Sequence, residues 1–138
     1  MALILVVEDE SVLLKNIERR LRLDGFKVLT ALDGASARRA LEGGPIDTLC
    51  LDINLPDIDG LELLEEIRLT DPGLPAIIIS GSATRKNRLR AERLGARGFL
   101  RKPFRLGELS ELLIQCEETT RTKRSKGVKK TKRAWTRR

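Results

Sequence analysis

Apolar residues along this chain alternate between two spacings. Nearly continuous apolar runs occur at 2–7 (ALILVV), 26–31 (FKVLTA), 46–51 (IDTLCL) and 76–80 (AIIIS), with a shorter one at 98–100 (GFL). Each predicts a buried strand. Between them the apolar positions fall at helical spacing. In 11–23, Val12, Leu13, Leu14, Ile17 and Leu21 form a stripe, and 34–43, 60–70, 84–95 and 106–118 also predict helices. The boundaries carry their own signals. Asp24-Gly25 and Gly95 end helices, Asp33 and Asp59 are placed as N-caps, Gly43-Gly44-Pro45 is a stop, and DPGLP (71–75) is a turn.

The pattern is a strand followed by a helix, five times over. Apolar strands separated by helices predict a parallel sheet covered on both faces. Crossovers of this kind are right-handed, so helices reach opposite faces only where the strand order reverses. Ligands bind beside the carboxyl ends of the strands at that point. Polar residues fall at those ends: Glu8 and Asp9 after the first strand, Asp52 after the third, Ser80 after the fourth and Lys102 after the fifth.

Composition narrows the possibilities. Aromatic residues are 3% of the chain, so the core must be aliphatic. The absence of histidine excludes His-based metal sites, Ser-His-Asp triads and a histidine phosphocarrier role within this chain. Cys50 and Cys116 sit at apolar positions and are expected to be buried thiols. ALILVV is too short for a membrane span and lacks the features of a signal peptide, which argues for the cytoplasm and against membrane insertion. The net charge of +7 conceals an asymmetry. All 20 acids lie at or before Glu118, and residues 121–138 hold ten Lys or Arg. A mildly acidic domain, 1–118, therefore precedes a basic segment, 119–138, that is too poor in apolar residues to fold alone and is expected to be disordered.

Three carboxylates brought to one edge, Glu8, Asp9 and Asp52, repel unless a cation compensates them. Mg²⁺ (or Mn²⁺) suits an all-oxygen set and commonly works beside a phosphoryl group. Neither GxGxxG nor GxxxxGK[ST] occurs, so a bound nucleotide is not expected. Asp52 can itself attack phosphorus. The Lys102 ammonium and the Ser80 hydroxyl can then meet the phosphoryl oxygens.

VVEDE, LDINLPDIDG, IIISGSA and GARGFLRKPF occur in this order at successive strand ends. Together they resemble the receiver domain of two-component response regulators over residues 1 to about 118. The resemblance implies a flavodoxin-like, doubly wound α/β fold: a five-stranded parallel sheet of order 2-1-3-4-5 with five helices. It implies that Asp52 accepts a phosphoryl group from a sensor histidine kinase or histidine phosphotransfer protein. Asp9, Asp52 and the Asn54 backbone carbonyl would be direct metal ligands, with Glu8 acting mainly through water. Lys102-Pro103 would be cis. Ser80 and Phe99 would form the switch, with Asn54 and Ser82 tuning the aspartyl phosphate lifetime. Beyond self-catalysed phosphorylation and dephosphorylation, no enzyme activity is implied.

Two positions depart from the family's habit: Phe99 lacks a tyrosine hydroxyl, and Gly81 is smaller than usual. Asp57 and Glu10 read as solvated acids. In 84–95, Arg85, Lys86, Arg88, Arg90 and Arg93 accompany a single acid, Glu92, and Arg97 and Arg101 follow. The resemblance places an output surface over 84–118, so an acidic downstream protein is the expected partner there. For 121–138 the readings are a solubilising end or degenerate linker, a nucleic-acid-binding segment with Trp135 for stacking, a contact for an acidic protein or membrane surface, or back-folding onto the acidic site. The rival functions are a nucleic-acid-binding protein gated by the receiver and an aspartate-nucleophile phosphohydrolase. The latter lacks the second acid of a D-x-D motif, since Asn54 stands there.

Overall fold

The computed structural model describes residues 2–126 and 134–135, with side chains through residue 120. The elements are β1 (Leu3–Val7), α1 (Ser11–Leu23), β2 (Lys27–Ala31), α2 (Gly34–Glu42), β3 (Thr48–Asp52), α3 (Gly60–Thr70), β4 (Ala76–Ser80), α4 (Arg85–Arg93), β5 (Gly98–Arg101) and α5 (Leu106–Lys126). The five strands pair in parallel in the order 2-1-3-4-5. The order reverses beside β1, which lies between β2 and β3. This is the expected switch point.

The central strands are apolar throughout because each feeds two cores. Leu5, Val7, Leu49, Leu51, Ile78 and Phe99 pack with α2, α3 and α4 on one face. Their strand neighbours Ile4, Val6, Cys50, Ile77, Ile79 and Leu100 pack with α1 and α5 on the other. Alternation survives, but both faces are dry. In α1 only part of the predicted stripe is core: Leu14, Ile17 and Leu21 are buried, whereas Val12 is 73% exposed.

The helix ends follow local chemistry. Asp33 accepts from Ser36 N at 2.8 Å, and Asp59 accepts from Leu61 N at 2.7 Å. Thr84, read as helical, is instead the N-cap of α4 and accepts from Asn87 N at 3.1 Å. Gly25 and Gly95 take φ of 97° and 79°, which accounts for glycine at these helix ends.

Two findings revise the C-terminal reading. The last helix does not stop at 118 but continues to Lys126. Apolar periodicity ends there, yet Lys and Arg are good helix formers and are favoured near a helix C-terminus. A short strand, β6 (Ala134–Trp135), adds in parallel to β5, placing Gly98 opposite Ala134 and Phe99 opposite Trp135. The edge of β5 offers backbone groups for such pairing. The other expectations for 119–138 fall largely outside the described residues. No helix among the described residues is long and apolar enough to cross a membrane.

Candidate functional site

The parallel register delivers the polar residues to one edge. Asp52, last in β3, pairs with Ile79, and Ser80, last in β4, pairs with Arg101. Glu8 directly follows β1 and is held by its backbone N–H to the Ala31 carbonyl at 3.0 Å. Lys102 follows β5, and its N–H donates to the Ser80 carbonyl at 2.8 Å. The Lys102-Pro103 peptide is cis.

Glu8, Asp9 and Asp52 each place a carboxylate oxygen within 4.8 Å of the others. Glu8 and Asp52 are buried, and Asp9 is exposed. Burial pushes the Glu8 carboxyl up to about 7 against the opposing pull of Lys102. Burial likewise raises Asp52, again resisted by the Lys102 charge. The Lys102 ammonium answers both: its Nζ lies 2.9 Å from Glu8 Oε1 and 3.2 Å from Asp52 Oδ2. Burial disfavours that charge. The bonds to Glu8 and Glu10 and the charge of Asp52 outweigh it, so Lys102 is held above its ordinary range.

Three carboxylates against one half-buried ammonium leave excess negative charge. The donors are all oxygen, and Asp9 opens the cluster to solvent. A hard divalent cation fits this set. The Glu8 carboxylate is already bound by Lys102 and by the Glu10 N–H at 3.0 Å.

The surrounding loops are knitted together. Asn54 N donates to Asp52 Oδ1 at 3.2 Å, and Asn54 Nδ2 donates to Ser82 Oγ at 3.4 Å. Ser82 N donates to the buried Ser80 Oγ at 2.8 Å. Phe99 is fully buried, its ring covered by the Arg88 guanidinium at 5.2 Å.

Two acids read as merely solvated have structural duties. Glu10 pairs with Lys102 at 3.0 Å. Asp57 accepts from Gly34 N at 2.8 Å and Ala35 N at 3.0 Å, tying the β3–α3 loop to the start of α2. These backbone donors, Gly34 first, hold the Asp57 carboxyl below its ordinary value. Neither role has a local sequence signal, because the partners lie 92 and 23 residues away. Burial raises both thiols, Cys116 to about 11, so neither is a nucleophile at neutral pH.

Residues 4–114 match the family model of the response regulator receiver domain. The chain is 41% identical over 106 residues to the transcriptional regulatory protein PrrA of Mycobacterium tuberculosis, covering 77% of this chain and 46% of PrrA. It is 36% identical over 123 residues to a putative NtrX-like response regulator of Rickettsia conorii, covering 88% of this chain and 26% of that protein. It thus spans less than half the length of these curated relatives. A receiver domain structure from Clostridium thermocellum superposes with a TM-score of 0.82 at 32% identity, covering 88% and 98% of the two chains. The response regulator TrrA of Thermotoga maritima, in complex with Mg²⁺–BeF, gives 0.76 at 29% identity, covering 84% and 99%.

Proposed function

Because this chain belongs to the response regulator receiver domain family, we propose that its Asp52 carboxylate accepts a phosphoryl group from a phosphohistidine donor. The observation that carries the assignment of Asp52 is its position. It is a buried carboxylate at the end of β3, 3.2 Å from the Lys102 ammonium and within a cluster of three carboxylates. The donor would be a sensor histidine kinase or a histidine phosphotransfer protein in the cytoplasm.

In the step itself, an Asp52 oxygen forms a bond to phosphorus as the phosphorus–nitrogen bond of the donor breaks. The electron pair leaves with the imidazole, which takes up a proton. Asp9, Asp52 and the Asn54 carbonyl would hold Mg²⁺ or Mn²⁺, with Glu8 acting through water. The cation, when bound, supplies positive charge to the phosphoryl oxygens. Lys102 contributes a second positive charge, moving its ammonium from the Asp52 carboxylate to a phosphoryl oxygen. The Ser80 hydroxyl donates to another oxygen and gives up the bond it accepts from Ser82 N. Such a shift would re-seat the β4–α4 loop and alter the packing above Phe99. A downstream protein would read that change over residues 84–118.

Incubation with radiolabelled acetyl phosphate tests the assignment. Label is expected in wild type with Mg²⁺, and it is expected to vanish in Asp52→Asn and with excess chelator. Label retained in Asp52→Asn would assign the acceptor elsewhere.

A further inference from the structure

Two residues of the basic C-terminal segment join the sheet. In 119–138 Ala134-Trp135 is the only pair of adjacent apolar residues, and this pair forms β6. It runs parallel to β5, with Ala134 opposite Gly98 and Trp135 opposite Phe99. β5 pairs with β4 along its other side, so β6 covers the edge at which a five-stranded sheet would end. An uncovered edge strand is a template for pairing with another chain.

The route suits docking within one chain. Parallel strands need a long crossover, and α5 supplies it. Its 21 residues run about 31 Å, against about 13 Å for the four residues of β5. The helix therefore outruns the strand by about 18 Å, and residues 127–133 can extend about 25 Å on the return. So short a connection keeps β6 near the β5 edge at an effective concentration of about a millimolar. A second copy at micromolar concentration competes about a thousandfold less well.

The docking is weak by construction. Two residue pairs form it. Arg97 and Arg101 lie on either side of the paired stretch of β5, and Arg133 and Arg137 lie on either side of Ala134-Trp135 in the chain. Bringing β6 to β5 brings like charges together, which offsets part of the gain.

We propose that the edge of β5 is a strand-docking surface whose ligand is Ala134-Trp135 of the same chain, a displaceable latch that closes this edge to a second copy. None of the residues around Asp52 takes part in the docking.

Trp135 is the sole tryptophan and the chain has no tyrosine, so tryptophan fluorescence of the full chain reports β6 alone. Acrylamide quenching is compared between the full chain and a synthetic peptide of residues 127–138, and amide hydrogen exchange is followed across 98–101. Quenching is expected to be about twofold slower in the chain, at every protein concentration, and to slow further as salt screens the arginines. Ala134→Pro with Thr136→Pro breaks the strand and keeps the tryptophan. In that variant quenching should rise to the peptide's rate, and exchange at β5 should quicken by about tenfold. The variant should also self-associate in sedimentation at concentrations where wild type is monomeric. Wild-type Trp135 quenched as freely as the peptide would overturn the proposal. Shielding that appears only as protein concentration rises would overturn it as well, because a second copy would then fill the edge. So would shielding lost in salt, because acids of the domain would then hold the segment. A proline variant as monomeric as wild type would overturn the edge-closing role.

Discussion

Replacing Gly60 by alanine should damage both the fold and the acceptor. Gly60 is the first residue of α3, and its N–H donates to the Ile53 carbonyl at 2.6 Å. A Cβ at this position would lie 2.1 Å from the Asp52 carbonyl oxygen, 2.8 Å from Ile53 Cα and 2.9 Å from the Asp52 carbonyl carbon. A carbon resting against a carbonyl oxygen needs about 3.3 Å, so the backbones must part by about 1 Å. Neither side can yield cheaply. Asp52 ends a strand held between β1 and β4. The first turn of α3 is capped by Asp59 and anchored by buried Leu61, Leu63 and Leu64. Overpacking costs about 1–3 kcal/mol, and a backbone collision belongs at the upper end. Alanine's helix propensity returns up to about 1 kcal/mol, leaving a net loss of about 2 kcal/mol. In a domain of this size that lowers Tm by about 8 °C. Because the displaced oxygen belongs to Asp52, phosphoryl uptake should slow as well. Calorimetry and acetyl phosphate labelling would measure the two effects. Gly73→Ala serves as the control, since a Cβ there meets no atom within 4 Å. A Gly60→Ala protein with wild-type Tm and uptake would refute the reasoning.

Three other perturbations probe the charges. Millimolar Mg²⁺ should raise Tm, by an amount equivalent to about 1.4 kcal/mol when its concentration is tenfold above Kd, and Asp52→Asn should shrink the gain in thermal melts. Lys102→Met should destabilise by about 3 kcal/mol in chelator, because it leaves buried Glu8 and Asp52 facing each other without the ammonium. The folded Glu8 carboxyl lies at about 7 against an ordinary 4.5, so its ionisation costs stability as pH rises through 7, and protonation restores it on the way down. Lys102 holds the Glu8 carboxyl down, so its removal moves that carboxyl above about 7, and denaturant titrations should show the Lys102→Met deficit largest well above pH 7 and shrinking as pH falls toward 7. At the other end of the fold, Ser110 donates to Asp24, and that bond, with Arg20, holds the Asp24 carboxyl below 3.8. A depressed carboxyl stabilises above its unfolded value and loses that contribution as pH falls through the folded one. Ser110→Ala should cost about 1–2 kcal/mol at neutral pH, and its Tm should draw closer to that of wild type as pH falls below the ordinary carboxylate range.

The strands and caps were legible because they obey local rules. AIIIS has no alternative to a buried strand, and Asp33 and Asp59 cap helices within three residues of themselves. Four motifs at four strand ends pointed to one edge before any geometry was known. What stayed hidden depends on approach in space. Asp57 and Glu10 look like ordinary loop acids until the fold brings Gly34 and Lys102 to them. Val12 fits the α1 stripe by spacing, yet the core takes a narrower arc that buries Leu14, Ile17 and Leu21 and covers Leu13 in part. The extension of α5 to Lys126 escaped because apolar periodicity reports the face that packs, and a helix can continue without one.

The central claim is that Asp52 is the phosphoacceptor of this chain. Its most direct test is mass spectrometry of the protein after reaction with a phosphorylated histidine phosphotransfer domain and Mg²⁺. The account predicts an added mass of one phosphoryl group, localised to Asp52 in the peptide fragments and absent with chelator. A phosphoryl group on any other residue, or none with a donor that phosphorylates another receiver in parallel, would contradict it.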